Sequence, residues 1–588
     1  APLESNSLTT YLNRTFQAMG LPWSKDLNGG KMRGFNIFPA TINYEEYVRE
    51  DAARAYYWPY ESRENLHVLL NTFANRVVWA EGTGSGPATA KGVEVTLKTG
   101  AISTIGATKE VIVSAGALKT PAILELSGIG NPDILHKHNI SVKVDLPTVG
   151  ENLQDQTNSH MDASSNRTLS GGKPVSYPNI YDILGDEAET VGNKLRANLK
   201  KYAEESAKAN GNVMKAADLE RLFEVQYDLI FKKNTPVAEI LNYAADKTLS
   251  TEFWSLLPFA RGNVHIASAN PKQFPTINPN YFMFEWDVES FAAVGQYIRR
   301  SYETKPLSTL VKEATPGLKN VPQDASVEQW KEWVFDGNYR SNFHPVGTAA
   351  MMPRAMGGVV DNRLKVYGTS NVRVVDASAL PYQVCGHLVS TLYAVAERAA
   401  ELIKADAAAV GTSSESSSGT SSSSGTSESS SYDYIVIGGG TSGLTVANRL
   451  SEDPNVNVLI IEAGDSVLNN PNVTTVDGYG LAFGTEIDWQ YQSVNQTYAG
   501  NVPQVLRAGK ALAGTSAING MAYTRAEDVQ IDAWETIGNE GWTWKNLFPY
   551  YLKSENFTKP TKTQLELGAS YNLEYNGENG PLNVAFTK

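Results

Sequence analysis

A single cysteine, Cys385, stands in 588 residues, which excludes an intrachain disulfide and any Cys-rich metal site. Histidine is scarce too: seven in all, with no HExxH run, so no metal is expected. The close pair His136 and His138 reads as a solvated surface pair. No apolar run approaches the roughly 20 residues a membrane helix needs, so no membrane partner is expected. A net charge of −13 argues against nucleic acid, which requires clustered Lys and Arg. No signal peptide is visible at Ala1, which reads as a mature form or a start other than the natural one. What is present is core-forming: 41% hydrophobic and 19% charged residues, over a length that suits two or more domains. Six N-x-S/T sequons, at Asn13, Asn139, Asn166, Asn472, Asn495 and Asn556, permit secretion without establishing it.

The oddest stretch is GTSSESSSGTSSSSGTSESSS, residues 411–431, which has no apolar residue to bury and reads as a flexible linker. Before it, Leu388, Leu392, Val395, Ala399, Leu402 and Ile403 fall on one helical stripe. After it, YDYIVIGGGTSGLTVANRLSEDPNVNVLIIEAG reads as strand, tight turn, helix and strand, a complete βαβ unit. Residues 465–588 hold no further βα repeats to finish that sheet, so its partners must come from earlier in the chain. At the other end, Ser5, Asn6 or Ser7 can cap a helix carrying Leu8, Leu12, Phe16 and Met19. The sequence therefore reads as a circular permutation, with the Ser-rich segment joining two former termini.

Gly438, Gly440 and Gly443, with Thr441 and Ser442 between the last two, fit G-x-G-x-x-G directly after the strand 434–437. Such glycines let backbone N–H groups approach a pyrophosphate at the next helix N-terminus. Glu462, ending the second strand, sits at the spacing expected of an acid that bonds ribose hydroxyls. The fingerprint does not separate FAD from NAD.

Two further stretches, GKALAGTSAIN (residues 509–519) and GALKTPAILELSGIG (residues 116–130), nearly reproduce the paired signatures of the glucose–methanol–choline (GMC) oxidoreductases, and at this point the chain resembles that family. The resemblance covers essentially the whole chain in permuted order, including NEGWTWKNLFPYYLKSEN, NYRSNFHPVGTAAMMP and GGVVDNRLKVYGTSNVRVVDASALP, and looks closest to the fungal FAD-dependent glucose dehydrogenases. It implies an α/β and α+β architecture. A Rossmann-like FAD-binding domain would comprise 62–154, 358–408 and 432–520. An antiparallel-sheet substrate domain would comprise 1–61, 155–357 and 521–588, with 409–431 as linker. The cofactor residues it implies are the glycine turn and Glu462, then Gly509, Gly514, Thr515, Ser516, Asn519, Gly520 and Met521, together with Val77, Asp376, Ala377 and Val389. One departure stands out: Ala513 occupies a position that is glycine in the family signature, so a methyl must be accommodated or the local backbone must differ.

His344, followed by Pro345 and small residues, reads as sitting on a turn, and His387 falls just before the helical stripe. Both contexts aim an imidazole at a site; His67, His160 and His265 read as structural. The resemblance implies that His344 is the base that takes a hydroxyl proton while His387 orients the substrate oxygen. In an extended segment Arg340, Asn342 and His344 share one face, and Tyr479 and Glu239 complete the candidate substrate set. The implied substrate is glucose or a similar sugar, and the implied acceptor a quinone or an artificial mediator. An oxidase forming peroxide, a non-redox GMC lyase and a non-catalytic flavin protein are the rival readings. A secreted, fungal-type protein is expected.

Overall fold

In the computed structural model, residues 7–82, 86–171, 173–414 and 431–588 are described. The run YIVI, β-branched and aromatic, forms the strand Ser431–Ile437, buried over its second half. It lies between Val458–Ile461 and Ile102–Val113, and is parallel to both. Leu66–Leu69 extends the parallel set on one side. Val372–Val374 pairs in parallel with Ile102–Val113, which also leads an antiparallel meander through Ala90–Thr96 to Phe73–Trp79. The centre of this seven-stranded sheet is thus supplied by the late chain and its flanks by the early chain.

A second seven-stranded sheet is antiparallel throughout, in the order Gly34–Ile37, Pro174–Tyr177, Ala238–Ala245, Thr248–Ser255, Thr157–Ser165, Val311–Thr315, with Arg340–Ser341 also paired to Thr157–Ser165. Its register aligns Glu239 with Trp254, Trp254 with Asn158, and Asn158 with Arg340. Directly paired residues project to the same face, and alternate residues along a strand share it. Glu239, Leu241, Tyr243, Glu252, Trp254 and Arg340 therefore occupy one face of the sheet.

Ser7 caps the helix Leu8–Ala18, accepting from the Thr10 N–H at 3.3 Å. The helix Leu388–Ser414 packs on Thr441–Leu450 and Trp544–Ser554. It runs past the boundary expected for the linker, because the Ala-rich 407–410 continues a helix readily. Ser431 already belongs to a strand, so only 415–430 of the expected linker remain, and these lie outside the described residues. One hydrophobic core joins both ends of the sequence, from Leu8 and Phe16 to Val584 and Phe586. Among the described residues no helix is long and apolar enough to cross a membrane, and no group of three His, Cys, Asp or Glu could hold a metal ion.

Candidate active site

The glycine turn is built by close approach. Gly438 has φ 106°, and a Cβ there would stand 2.4 Å from the Ser114 carbonyl oxygen. Its chain neighbour Gly439 donates to Glu462 Oε2 at 2.8 Å, and the other carboxylate oxygen of Glu462 takes the Gly464 N–H at 2.7 Å. Burial pushes the Glu462 carboxyl up to about 7 despite these bonds. Facing the turn is the segment 509–521: a Cβ on Gly514 would meet Gly440 Cα at 2.7 Å.

Between these segments opens a cavity of about 550 Å³. It is lined by Gly438, Gly440, Thr441, Ser442, Glu462, Gly509, Gly514, Thr515, Ser516, Asn519, Gly520, Met521, Asp376, Ala377 and Val389. Asp376 accepts from the Gly116 N–H at 2.8 Å and from Thr120 Oγ1 at 2.5 Å, which fixes the 115–119 loop on the cavity wall. Ser114 Oγ, buried on the same wall, has no hydrogen-bond partner among the described residues. Glycine contacts that leave room only for backbone, a helix N-terminus at Thr441, a carboxylate at the strand end and an orphaned hydroxyl together fit a dinucleotide.

Two of the expected cofactor residues lie elsewhere. Val77 does not reach the cavity: it is buried in its strand, where its N–H donates to Ser127 Oγ at 2.8 Å, and Thr72, Phe73 and Ala74 line the wall instead. Gly443 sits behind the turn, where a Cβ would meet the Gly438 carbonyl oxygen at 2.0 Å, so it serves helix–strand packing. Ala513 also lies off the cavity. Its methyl is in the core, while its backbone adopts φ 111° and its N–H donates to the Gly439 carbonyl at 2.8 Å.

The other end of the cavity holds the two histidines, their rings 5.7 Å apart and nearly perpendicular at 86°. His344 follows Phe343, whose φ of 62° makes the sharp turn expected there. Buried Asp155 pins that turn, accepting from the His344 N–H at 3.0 Å and from Ser341 Oγ at 2.5 Å. His344 Nδ1 lies 2.8 Å from Gln156 Oε1 and 3.0 Å from Asn342 Nδ2. Gln156 Nε2 donates to the Leu256 carbonyl at 3.1 Å, which turns its Oε1 toward the imidazole. Nδ1 can donate to Gln156 Oε1 or accept from Asn342 Nδ2; the tautomer that donates to the shorter contact leaves Nε2 as the free lone pair. Burial, then the neighbouring His387 and Arg340, push the His344 pKa down to about 3, so the ring is neutral at working pH.

His387 immediately precedes the helix Leu388–Ser414, and its N–H donates to Thr524 Oγ1 at 3.0 Å. Its Nε2 stands 2.9 Å from Glu239 Oε1. This corrects the expectation that Glu239 meets substrate: the carboxylate is fully buried, does not line the cavity, and stands behind His387. The acid that lines the cavity at the histidine end is Glu252, ion-paired to Arg340 at 3.2 Å. Arg340, Asn342 and Tyr479 line it as expected, joined by Tyr243, Phe343, Phe483 and Trp254. Tyr479 is 45% exposed, placing it at the mouth. Gln156, Asp155, Glu252 and Trp254 were not singled out from sequence; the two-residue alternation with Arg340 and Asn342 was the one signal pointing at this face. His265 lies outside the cavity, held between Glu125 at 2.7 Å and Glu151 at 2.9 Å.

A glycine cradle that opens onto a pair of facing imidazoles is the working arrangement of a dinucleotide-dependent oxidoreductase. The chain belongs to the GMC oxidoreductase family: the family model of that description for the N-terminal part matches residues 2–158 and 432–587, and that for the C-terminal part matches residues 258–396. A glucose oxidase-like protein of Humicola fuscoatra is 42% identical over 404 residues, 68% of each chain. The glucose oxidase of Penicillium chrysogenum is 35% identical over 399 residues, 67% of this chain and 64% of that one. Among solved structures, an FAD-dependent oxidoreductase from Chaetomium thermophilum superposes with a TM-score of 0.60 at 26% identity, covering 68% of this chain and 72% of that one. A fungal aryl-alcohol oxidase gives a TM-score of 0.61 at 26% identity, covering 68% and 70%.

Proposed function

We propose that the protein is an FAD-dependent glucose dehydrogenase, oxidising glucose at C1 to gluconolactone and passing the electrons to a quinone or an artificial acceptor. The observation that carries this reading is the His344–His387 pair on the wall of the cavity into which the glycine cradle opens. FAD, when bound, supplies the hydride acceptor. His344, neutral and with Nδ1–H tied to Gln156, offers Nε2 to the substrate hydroxyl as the proton acceptor. His387, its Nε2 2.9 Å from the buried Glu239 carboxylate and its ring 5.7 Å from that of His344, orients the substrate oxygen. Arg340, Asn342, Glu252, Tyr243 and Tyr479 give the mouth the several polar groups a sugar needs, and Trp254 and Phe343 give it apolar walls.

The relatives named glucose oxidases favour a second reading, an oxidase that reduces O₂ to peroxide. One experiment separates the two. The purified protein is reduced with glucose under anaerobic conditions while the visible flavin band is followed, and air is then admitted. Bleaching that persists in air and reverses with a quinone supports the dehydrogenase. Rapid recovery in air with peroxide formation supports the oxidase, and bound flavin that glucose never bleaches sinks both.

The proposal extends to organisation. The segments 62–154, 358–408 and 432–520 are read as the cofactor domain and 1–61, 155–357 and 521–588 as the substrate domain. The chain order is read as a circular permutation, supported by the N-terminal family model matching in two blocks at opposite ends. Exposed sequons at Asn139 and Asn495 suit a secreted protein, to be checked by glycosidase-sensitive mass.

A further inference from the structure

Arg49 is 1% exposed, yet among the described residues no carboxylate oxygen lies within 4.0 Å of it. Its partners are neutral. Nε donates to the Val473 carbonyl at 2.9 Å, and Nη1 to the Ser516 carbonyl at 3.2 Å and to Asn519 Oδ1 at 2.7 Å. Ser516 and Asn519 line the cofactor cavity, and the same Asn519 oxygen takes the Met521 N–H at 3.0 Å, holding Met521 at φ 63°. Next along the chain, Ala52 N–H donates to Ser516 Oγ at 2.9 Å. Asp51, whose charge acts on Arg49 from beyond ion-pair distance, accepts at Oδ1 from the N–H groups of Ala53 and Arg54 at 2.9 and 3.0 Å. Burial draws the Arg49 pKa down to about 10, which still leaves it charged at neutral pH.

We infer that Arg49 is a positioning residue that fixes the 516–521 turn under the cofactor, and that its charge, without a direct ion pair among the described residues, favours the reduced over the oxidised flavin from beneath the cavity floor. The inference rests on the FAD reading above. Reduction by two electrons and one proton leaves the cofactor with additional negative charge. A cation held against the cavity floor through Ser516 and Asn519, in a region that water does not screen, stabilises that state preferentially. A neutral staple could hold the turn equally well but would leave the redox equilibrium where it was.

The test compares purified holoproteins: wild type, Arg49→Gln and Arg49→Lys. Each is titrated against a redox dye of known potential, and flavin release is timed separately. Arg49→Gln is expected to shift the equilibrium at least tenfold toward oxidised flavin, about 30 mV for a two-electron couple. Arg49→Lys, which keeps the charge, is expected to stay within about threefold of wild type, while both variants release flavin several-fold faster because the paired grip on Ser516 and Asn519 is lost. Should Arg49→Gln not fold, Arg49→Met keeps the stem and removes the charge for the same reading. A neutral variant with bound flavin and an unshifted potential overturns the inference. Wild-type protein that carries no flavin instead fails the cofactor reading, and the inference falls with it.

Discussion

At the scale of the residue, Ala513 is the clearest conflict between a side chain and its backbone. At φ 111° and ψ −13° it holds a conformation that suits glycine, while its methyl is fully buried in the core. Strain of this kind costs of order 1–3 kcal/mol, against roughly 0.8 kcal/mol for burying one methyl. Strain wins, so Ala513→Gly is expected to stabilise the protein by about 1 kcal/mol, a rise of roughly 1–2 °C in Tm for a chain this long. Thermal unfolding of the two proteins side by side checks this, and a fall in Tm would contradict it. The substitution was legible in the sequence as a departure from a glycine signature; that its methyl points into the core and away from the cavity was not. Glu239 is the opposite lesson. Two acids, Glu239 and Glu252, share one face of adjacent strands, and Glu239 stands behind His387 while Glu252 lines the cavity. Which of two acids on one face another segment of the chain covers is not written in local sequence.

At the scale of the element, local signals served best. The strand, glycine turn and helix at 431–450 were readable because their chemistry is contiguous: β-branched residues, then glycines, then a helical stripe. The capped helix Leu8–Ala18 was readable for the same reason. Val77 failed because a strand with residues on both faces gives no indication of which face meets the cofactor. The late strands Ser431–Ile437 and Val458–Ile461 are locked between Leu66–Leu69 and Ile102–Val113. Cleaving the chain at a protease site introduced within 415–430 is therefore expected to leave two pieces that co-elute on gel filtration with flavin still bound. Separation into two folded pieces would contradict the permuted reading and favour an ordinary pair of tethered domains.

At the scale of the whole molecule, the cavity exists because the two sheets meet. The mixed sheet contributes the glycine turn and Glu462, the antiparallel sheet contributes Glu252, Trp254 and Arg340, and His387 immediately precedes the helix that packs on Thr441–Leu450 and Trp544–Ser554. Residues from 38 to 522 line one space, so its composition could be read from sequence only through family resemblance and not from any local pattern. The chemistry proposed for this space removes a hydride from the sugar carbon and a proton from its hydroxyl. The most direct measurement is anaerobic stopped-flow bleaching of the flavin with glucose and with glucose deuterated at C1. Bleaching is expected to be several-fold slower with the deuterated sugar, because the C–H bond breaks in that step. Bleaching at the same rate with both sugars, in a phase that saturates with glucose, would contradict hydride removal from C1 as the step this site performs.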